Sequence, residues 1–155
     1  MLIKKYETKY LEEIKNLHEQ TVRHICSKDY SEDQIRTWPG LKDGYVKIDE
    51  SLKNSNSFVA VIDEKIVGFG DINKNGHLHR IYTHKDHQGK GTATTILKKL
   101  EAIAKQKNIK KIKLVSTITA KTFYEKYGYK TIAKKEGYID EVLHEDYEME
   151  KEMLK

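Results

Sequence analysis

A chain of 155 residues, 37% hydrophobic and 34% charged, is sized for one domain (residues 1–155) around one core, with a wet surface. No apolar run is long enough to span a bilayer, the start Met1-Leu2-Ile3-Lys4-Lys5-Tyr6 lacks a signal peptide's apolar stretch, and the single Cys26 excludes an internal disulfide and a cysteine-based metal site. A cytoplasmic protein with no metal and no membrane partner is expected, and the net charge of +5 fits a solubilising lysine-rich surface before it fits a nucleic acid or a polyanionic small ligand.

Residues 1–6 read as a short first strand. Leu11, Ile14, Leu17, Val22 and Ile25 then recur at helical spacing, which predicts an amphipathic helix over about residues 8–26. Ser31 before Glu32-Asp33-Gln34 reads as the N-cap of a short second helix, ended by the turn at Trp38-Pro39-Gly40. Residues 57–62 and 66–72 are strand-like, and Asp63-Glu64-Lys65 between them predicts an antiparallel hairpin. After a turn at Asn73–Gly76, a third strand-like segment runs over His77–Thr83. Ala93, Ile96, Leu97, Leu100 and Ile103 line one face of a helix over about residues 90–107. A strand at 111–116, a short helix at 119–127 and strands at 129–134 and 143–151 complete the chain. The helix between the strands near residues 80 and 113 is a crossover, so those strands should be parallel. The expected class is α/β, with a mixed, mostly antiparallel sheet of six to seven strands and helices on both faces.

The chemistry concentrates in Gln88-Gly89-Lys90-Gly91-Thr92-Ala93, between a strand and a helix. Small residues let a backbone curl around an anion, and the first turn of a helix offers unpaired N–H groups and a favourable dipole. A Walker A loop fails, because Lys90 is followed by Gly91 and the upstream glycine is missing. A dinucleotide fingerprint fails at Thr94, where a third glycine is required. Gln88, Gly91 and Ala93 do match [QR]-x-x-G-x-[GA], a pyrophosphate loop for acetyl-CoA.

Around this loop, residues His77–Glu101 resemble the defining segment of the Gcn5-related N-acetyltransferases (GNAT). The block Ala120-Lys121-Thr122-Phe123-Tyr124-Glu125-Lys126-Tyr127-Gly128-Tyr129 is similar to that family's A-x-x-F-Y-E-K-x-G-F, with Tyr129 for the usual Phe. His144–Lys151 is similar to its last strand, and Ser116–Lys121 resembles a bacterial subgroup. The resemblance implies a GNAT fold and transfer of an acetyl group from acetyl-CoA to a primary amine by direct attack in a ternary complex. It implies that backbone groups of Ile81, Tyr82 and Thr83 hold the pantetheine arm. Those of Gln88, Gly89, Lys90, Gly91, Thr92, Ala93 and Thr94 would hold the pyrophosphate. It leaves open a homodimer, since similar proteins often pair. The +5 charge then finds a partner in the CoA phosphates, without nucleic acid.

Catalysis asks for a base, donors for the developing oxyanion, and an acid for the leaving thiolate. By resemblance, Tyr124 is the acid and the Ile81 N–H the oxyanion donor. His79 and then His77, two residues apart on one strand face, are the first candidates for the base, since imidazole titrates near neutrality. Their His-Leu-His triplet is similar to one in arylalkylamine acetyltransferases. Asp71 is a further candidate. Tyr30 and Trp38 are candidates for the acceptor pocket, although an aromatic beside Pro39 can simply anchor a loop. A polyamine, an aminoglycoside, an amino acid or a protein amine all remain open as acceptor. A non-catalytic acetyl-CoA-binding module and a basic nucleic-acid-binding protein are the rival functions.

Overall fold

The computed structural model describes residues 1–153. Seven strands form one mixed sheet in the order β1-β2-β3-β4-β5-β7-β6. They are β1 (Leu2–Lys5), β2 (Asn56–Ile62), β3 (Lys65–Ile72), β4 (His77–Thr83), β5 (Lys111–Ser116), β6 (Lys130–Ile139) and β7 (Val142–Glu152). Every neighbouring pair is antiparallel except β4 with β5, as the crossover helix requires. The helices are α1 (Leu11–His24), α2 (Glu32–Arg36), α3 (Ile48–Lys53), α4 (Thr92–Gln106) and α5 (Ile118–Lys126).

The alternation along β2 shows how the sheet is covered. Phe58, Ala60 and Ile62 pack toward α4 and its neighbours, and Val59 and Val61 pack toward α1 and α3, as a period of two dictates. On the α4 side, Ile96, Leu97 and Leu100 meet Ile72, Leu78, Ile112, Leu114 and Met149, and α5 adds Tyr124. On the other side, Ile14 and Leu17 of α1 and Leu52 of α3 meet Phe69 of β3. Residues 8–26, read from sequence as one helix, divide into a 3-10 turn at Thr8–Tyr10, α1, and a second 3-10 turn from Cys26. The predicted cap at Ser31 forms a capping box, with Ser31 Oγ accepting from the Gln34 N–H at 3.1 Å and Gln34 Oε1 from the Ser31 N–H at 2.8 Å. Helix α3 was not anticipated: its six residues are too few to show a helical period. β6 runs to Ile139, past the expected end at residue 134; the extension leaves no mark in the sequence, because the strand is exposed along most of its length and shows no hydrophobic alternation.

Helix α4 lies close on the sheet because β3 presents glycines to it. A Cβ on Gly70 would sit 2.8 Å from the Arg80 carbonyl oxygen and 2.8 Å from Ile96 Cγ2, nearer than packed atoms tolerate. Gly70→Ala should therefore destabilise the protein by about 1–3 kcal/mol through overpacking. A urea melt reads this as a lower midpoint at unchanged slope, and an unshifted midpoint would show that α4 can retreat without penalty.

Candidate active site

The site begins where β4 leaves β5. The two strands pair only at His77–Lys113 and Leu78–Leu114, and beyond Leu78 they part. On its other side β4 stays on β3, but with a bulge: Ile72 pairs with Leu78 and Asp71 with Arg80, which leaves His79 as an extra residue. The His84 N–H donates to the Val67 carbonyl at 2.8 Å. In an antiparallel ladder alternate residues bond to the same neighbour, so Tyr82, opposite Phe69, also turns its backbone groups to β3. Those of Ile81 and Thr83 turn away, into the gap left by β5. The Thr83 carbonyl is already held there by the Thr21 hydroxyl at 2.8 Å and the Gln88 side-chain amide at 2.7 Å.

The gap is the floor of a cleft of about 710 Å³. One end is the glycine loop. Gly89 and Gly91 have φ of +71° and +82° with open space where a side chain would start, so these glycines serve a left-handed backbone. Gly91 precedes α4 with no side chain capping the helix, and the first in-helix bond there runs from the Thr95 N–H to the Gly91 carbonyl at 3.0 Å. The N–H groups of Thr92, Ala93 and Thr94 are thus left for a ligand. Among the residues of the expected pyrophosphate loop, Gln88, Gly89, Gly91, Thr92, Ala93 and Thr94 line the cleft, and Lys90 does not. Lys90 is exposed, and Lys126 of α5 supplies a cation to the lining instead. The Gln88 side chain works inward, on the Thr83 carbonyl, and so sets the loop's position. The Thr94 hydroxyl meets Tyr127 Oη at 2.9 Å, which ties α4 to α5.

Tyr124 lines the same cleft from α5 and is 5% exposed. Burial, with smaller contributions from Tyr82 and Asp71, pushes its phenol well above the usual range. The group therefore keeps its proton and faces the cleft as a donor.

His79 lines this cleft and a second cavity of about 390 Å³. The two share His79, Arg80, Tyr82, Val115 and Thr117 as a common wall. His79 Nδ1 is 3.3 Å from Asp71 Oδ2. Asp71 is fully buried and also accepts from Arg80 Nε at 2.9 Å and Arg80 Nη2 at 3.0 Å, while Nη2 donates to Ser51 Oγ at 2.6 Å. With both oxygens engaged by a guanidinium, Asp71 is an orienting group for His79 and is badly placed as a free base. His77 packs edge-to-face on His79 at 4.5 Å between ring centroids but lines neither cavity; burial, and then the neighbouring His79, lower its pKa.

The second cavity lies on the α1–α2 side, walled by Tyr30, Trp38, Tyr45 and Tyr82, with His144 and Asp146 from β7. Trp38 and Tyr30 pack edge-to-face at 4.9 Å between centroids, so they anchor the loop and line the cavity at once. Burial raises the Asp146 carboxyl above the usual range, against smaller opposing effects of His144 and Lys135. Sequence reading passed over Arg80, Thr21, His18 and Asp146. Of these, His18 and Thr21 carry a signal: polar residues on the buried stripe of α1, beside Ile14, Leu17 and Val22.

Known proteins share this fold and its sequence pattern. The profile described as Acetyltransferase (GNAT) domain matches residues 26–151. The chain is 28% identical over 131 residues to the uncharacterized N-acetyltransferase YafP of Escherichia coli K12, covering 84% of this chain and 81% of that one. A GCN5-related N-acetyltransferase from Rhodopseudomonas palustris superposes with a TM-score of 0.92 at 21% identity, over 97% of this chain and 94% of that one. PaiA N-acetyltransferase from Thermoplasma acidophilum, solved in complex with coenzyme A, gives 0.78 at 23% identity, over 98% and 99% of the two chains.

One group in the site gives a pH dependence of stability. His18 is 5% exposed, its Nδ1 2.7 Å from Tyr45 Oη, and burial, then the Arg80 charge, lower its pKa to about 4. Below the ordinary imidazole pKa of about 6.5 the unfolded chain takes up a proton that the folded one refuses, so stability falls with pH, by roughly 3 kcal/mol from pH 6.5 to 4. His18→Asn should flatten that part of the profile, as read by urea midpoints across the range; a slope equal to wild type would remove His18 as its source.

Proposed function

The chain belongs to the GNAT acetyltransferase family and is an acyltransferase, and from that premise we propose that it moves an acetyl group from acetyl-CoA directly to a primary amine, both substrates being bound together. The supporting observation is that two cavities meet along the detached stretch of β4 and share one wall. A long cleft with an uncapped helix start suits an elongated phosphorylated donor, and a smaller aromatic cavity suits the acceptor.

The cleft fits acetyl-CoA on three counts. The free N–H groups of α4 and its loop take the pyrophosphate, the outward backbone groups of Ile81 take the pantetheine arm as an added strand would, and Tyr124 closes the far wall. Tyr82 enters through its side chain, because its backbone is committed to β3. Acetyl-CoA supplies the thioester whose acyl carbon the amine attacks.

The protein's part is to place charge and protons. His79, held by Asp71, accepts the proton that the cationic amine must lose before it can attack. Asp71 is itself held by Arg80, so the imidazole's orientation traces back to one buried ion pair. The Ile81 N–H points into the cleft toward the place where the acyl oxygen gains negative charge. Tyr124 donates a hydrogen bond to the sulfur as the C–S bond breaks and the thiolate leaves, and the second proton, shed by the nitrogen as it becomes an amide, passes to that thiolate or to water. A phenol with a raised pKa keeps its proton and is a poor proton source, so its contribution is that of a charge-assisted hydrogen bond.

Calorimetric titration of acetyl-CoA should give a one-to-one complex, abolished by Gly91→Glu, which puts a carboxylate at the anion site and a side chain where φ is +82°. No binding by the folded wild type would overturn the proposal. Tyr124→Phe should lower kcat about 10- to 100-fold, the worth of one hydrogen bond to a charged group. His79→Ala should lower kcat/KM about 100-fold near neutrality, with recovery as rising pH deprotonates the amine, and His77→Ala should stay near wild type. Steady-state kinetics separate these roles, and wild-type rates in both Tyr124→Phe and His79→Ala would remove the pair from the mechanism.

A further inference from the structure

Resting on the acetyltransferase reading, we propose that Asp146 binds the cationic amine of the acceptor, and that the acceptor is a small amine with an apolar or aromatic body and no carboxylate.

The charges around the second cavity carry this. Asp146 lines it, and its carboxylate forms no hydrogen bond or ion pair among the described residues. Its cross-strand neighbour is Lys135, yet no ion pair joins them; the adjacent pair Lys134–Glu145 does close, at 3.4 Å. His144, two residues away on the same face, gives its Nε2 to the Thr37 hydroxyl at 2.7 Å. A partly buried carboxylate facing a cavity without a direct ion-pair or hydrogen-bond partner is disfavoured, and an entering ammonium relieves that.

The buried cations of the wall cannot offer the same to an anion. Arg80 spends Nε and Nη2 on Asp71 and Ser51. His18 is hydrogen-bonded to Tyr45 and buried. At the rim Asp43 and Lys47, both exposed, are one of each sign. An acceptor carboxylate would therefore meet Asp146 with no guanidinium fork free to hold it.

Shape and surface agree. Tyr30, Trp38, Tyr45 and Tyr82 give the cavity aromatic walls, which favour apolar bodies and attract cations through their π faces. A volume of about 390 Å³ lies at the small end of ligand pockets, about 300–1,000 Å³. That suits one small amine over an aminoglycoside. The amine bound near Asp146 is still beside His79 on the shared wall, which receives its proton.

The test pairs two amines with one body: phenethylamine, a cation, and phenylalanine, which adds a carboxylate. The wild type should acetylate phenethylamine with a kcat/KM at least about tenfold higher. Asp146→Asn should raise the KM for phenethylamine about tenfold while kcat changes little, and should shrink the preference over phenylalanine. Acetyl-CoA affinity, read by calorimetry, should be unchanged, which reports that the variant is folded. Equal use of the two amines, an unchanged KM in Asp146→Asn, or turnover of neither amine by protein that binds acetyl-CoA would each overturn the assignment and leave the acetyltransferase reading standing. Failure to bind acetyl-CoA would bring down that reading and this proposal with it.

Discussion

Asp71 is a carboxylate with no exposure to water, and such a charge persists in a fold only when paired and hydrogen-bonded. Arg80 supplies the pair through two nitrogens. To bring Arg80 opposite Asp71, β4 must take up one residue more than β3, and that residue is His79. The bulge bends β4 locally, as bulges do, at the point where its pairing with β5 ends. One buried ion pair thus accompanies three features of the site: a separated strand, an oriented imidazole, and a wall common to two cavities.

A strand with one edge unpaired is usually a liability, because its N–H and C=O groups need partners. Here the edge is partly closed by the protein. The Thr21 hydroxyl from α1 and the Gln88 amide from the glycine loop both end on the Thr83 carbonyl. What stays open is the stretch around Ile81, between that closed end and the last pairing with β5 at Leu78. The same economy governs the loop beyond. Gln88 holds it from inside, the glycines set its handedness, and the N–H groups at the start of α4 are left without partners. Binding capacity in this cleft comes from backbone groups that the fold declines to satisfy.

This explains what could be read from the sequence. Backbone-built sites need particular residues only where geometry is demanding, and those residues stand close together. Gln88, Gly89 and Gly91 fall within four positions, directly ahead of the strong apolar stripe of Ile96, Leu97 and Leu100. Strand alternation and helical spacing likewise placed the seven strands and four of the five helices, including the parallel pair across α4. The shortfalls have local causes. Helix α3 is held by Leu52 and Ile48 in the core on the α1 side and is too short for a period. The far half of β6 is an exposed edge whose side chains answer to solvent and carry no pattern.

The second cavity was far less legible, for the converse reason. Its walls are side chains from distant segments, among them His18 on α1, Tyr30 and Trp38 around α2, Tyr45 ahead of α3, Arg80 and Tyr82 on β4, Val115 on β5, and His144 and Asp146 on β7. No spacing rule joins residues 18, 38, 80 and 146; only the folded sheet brings them together, with α2 docked on β7 through the Gln34 amide on the Leu143 carbonyl and Thr37 on His144. A cleft made of backbone, as proposed for the donor, keeps the same character under many substitutions, whereas one side-chain change in the cavity proposed for the acceptor alters its charge or its shape. Sequence pattern therefore speaks clearly for the cleft proposed for the donor and faintly for the cavity proposed for the acceptor, whose ligand has to be inferred from unpaired charge and aromatic surface.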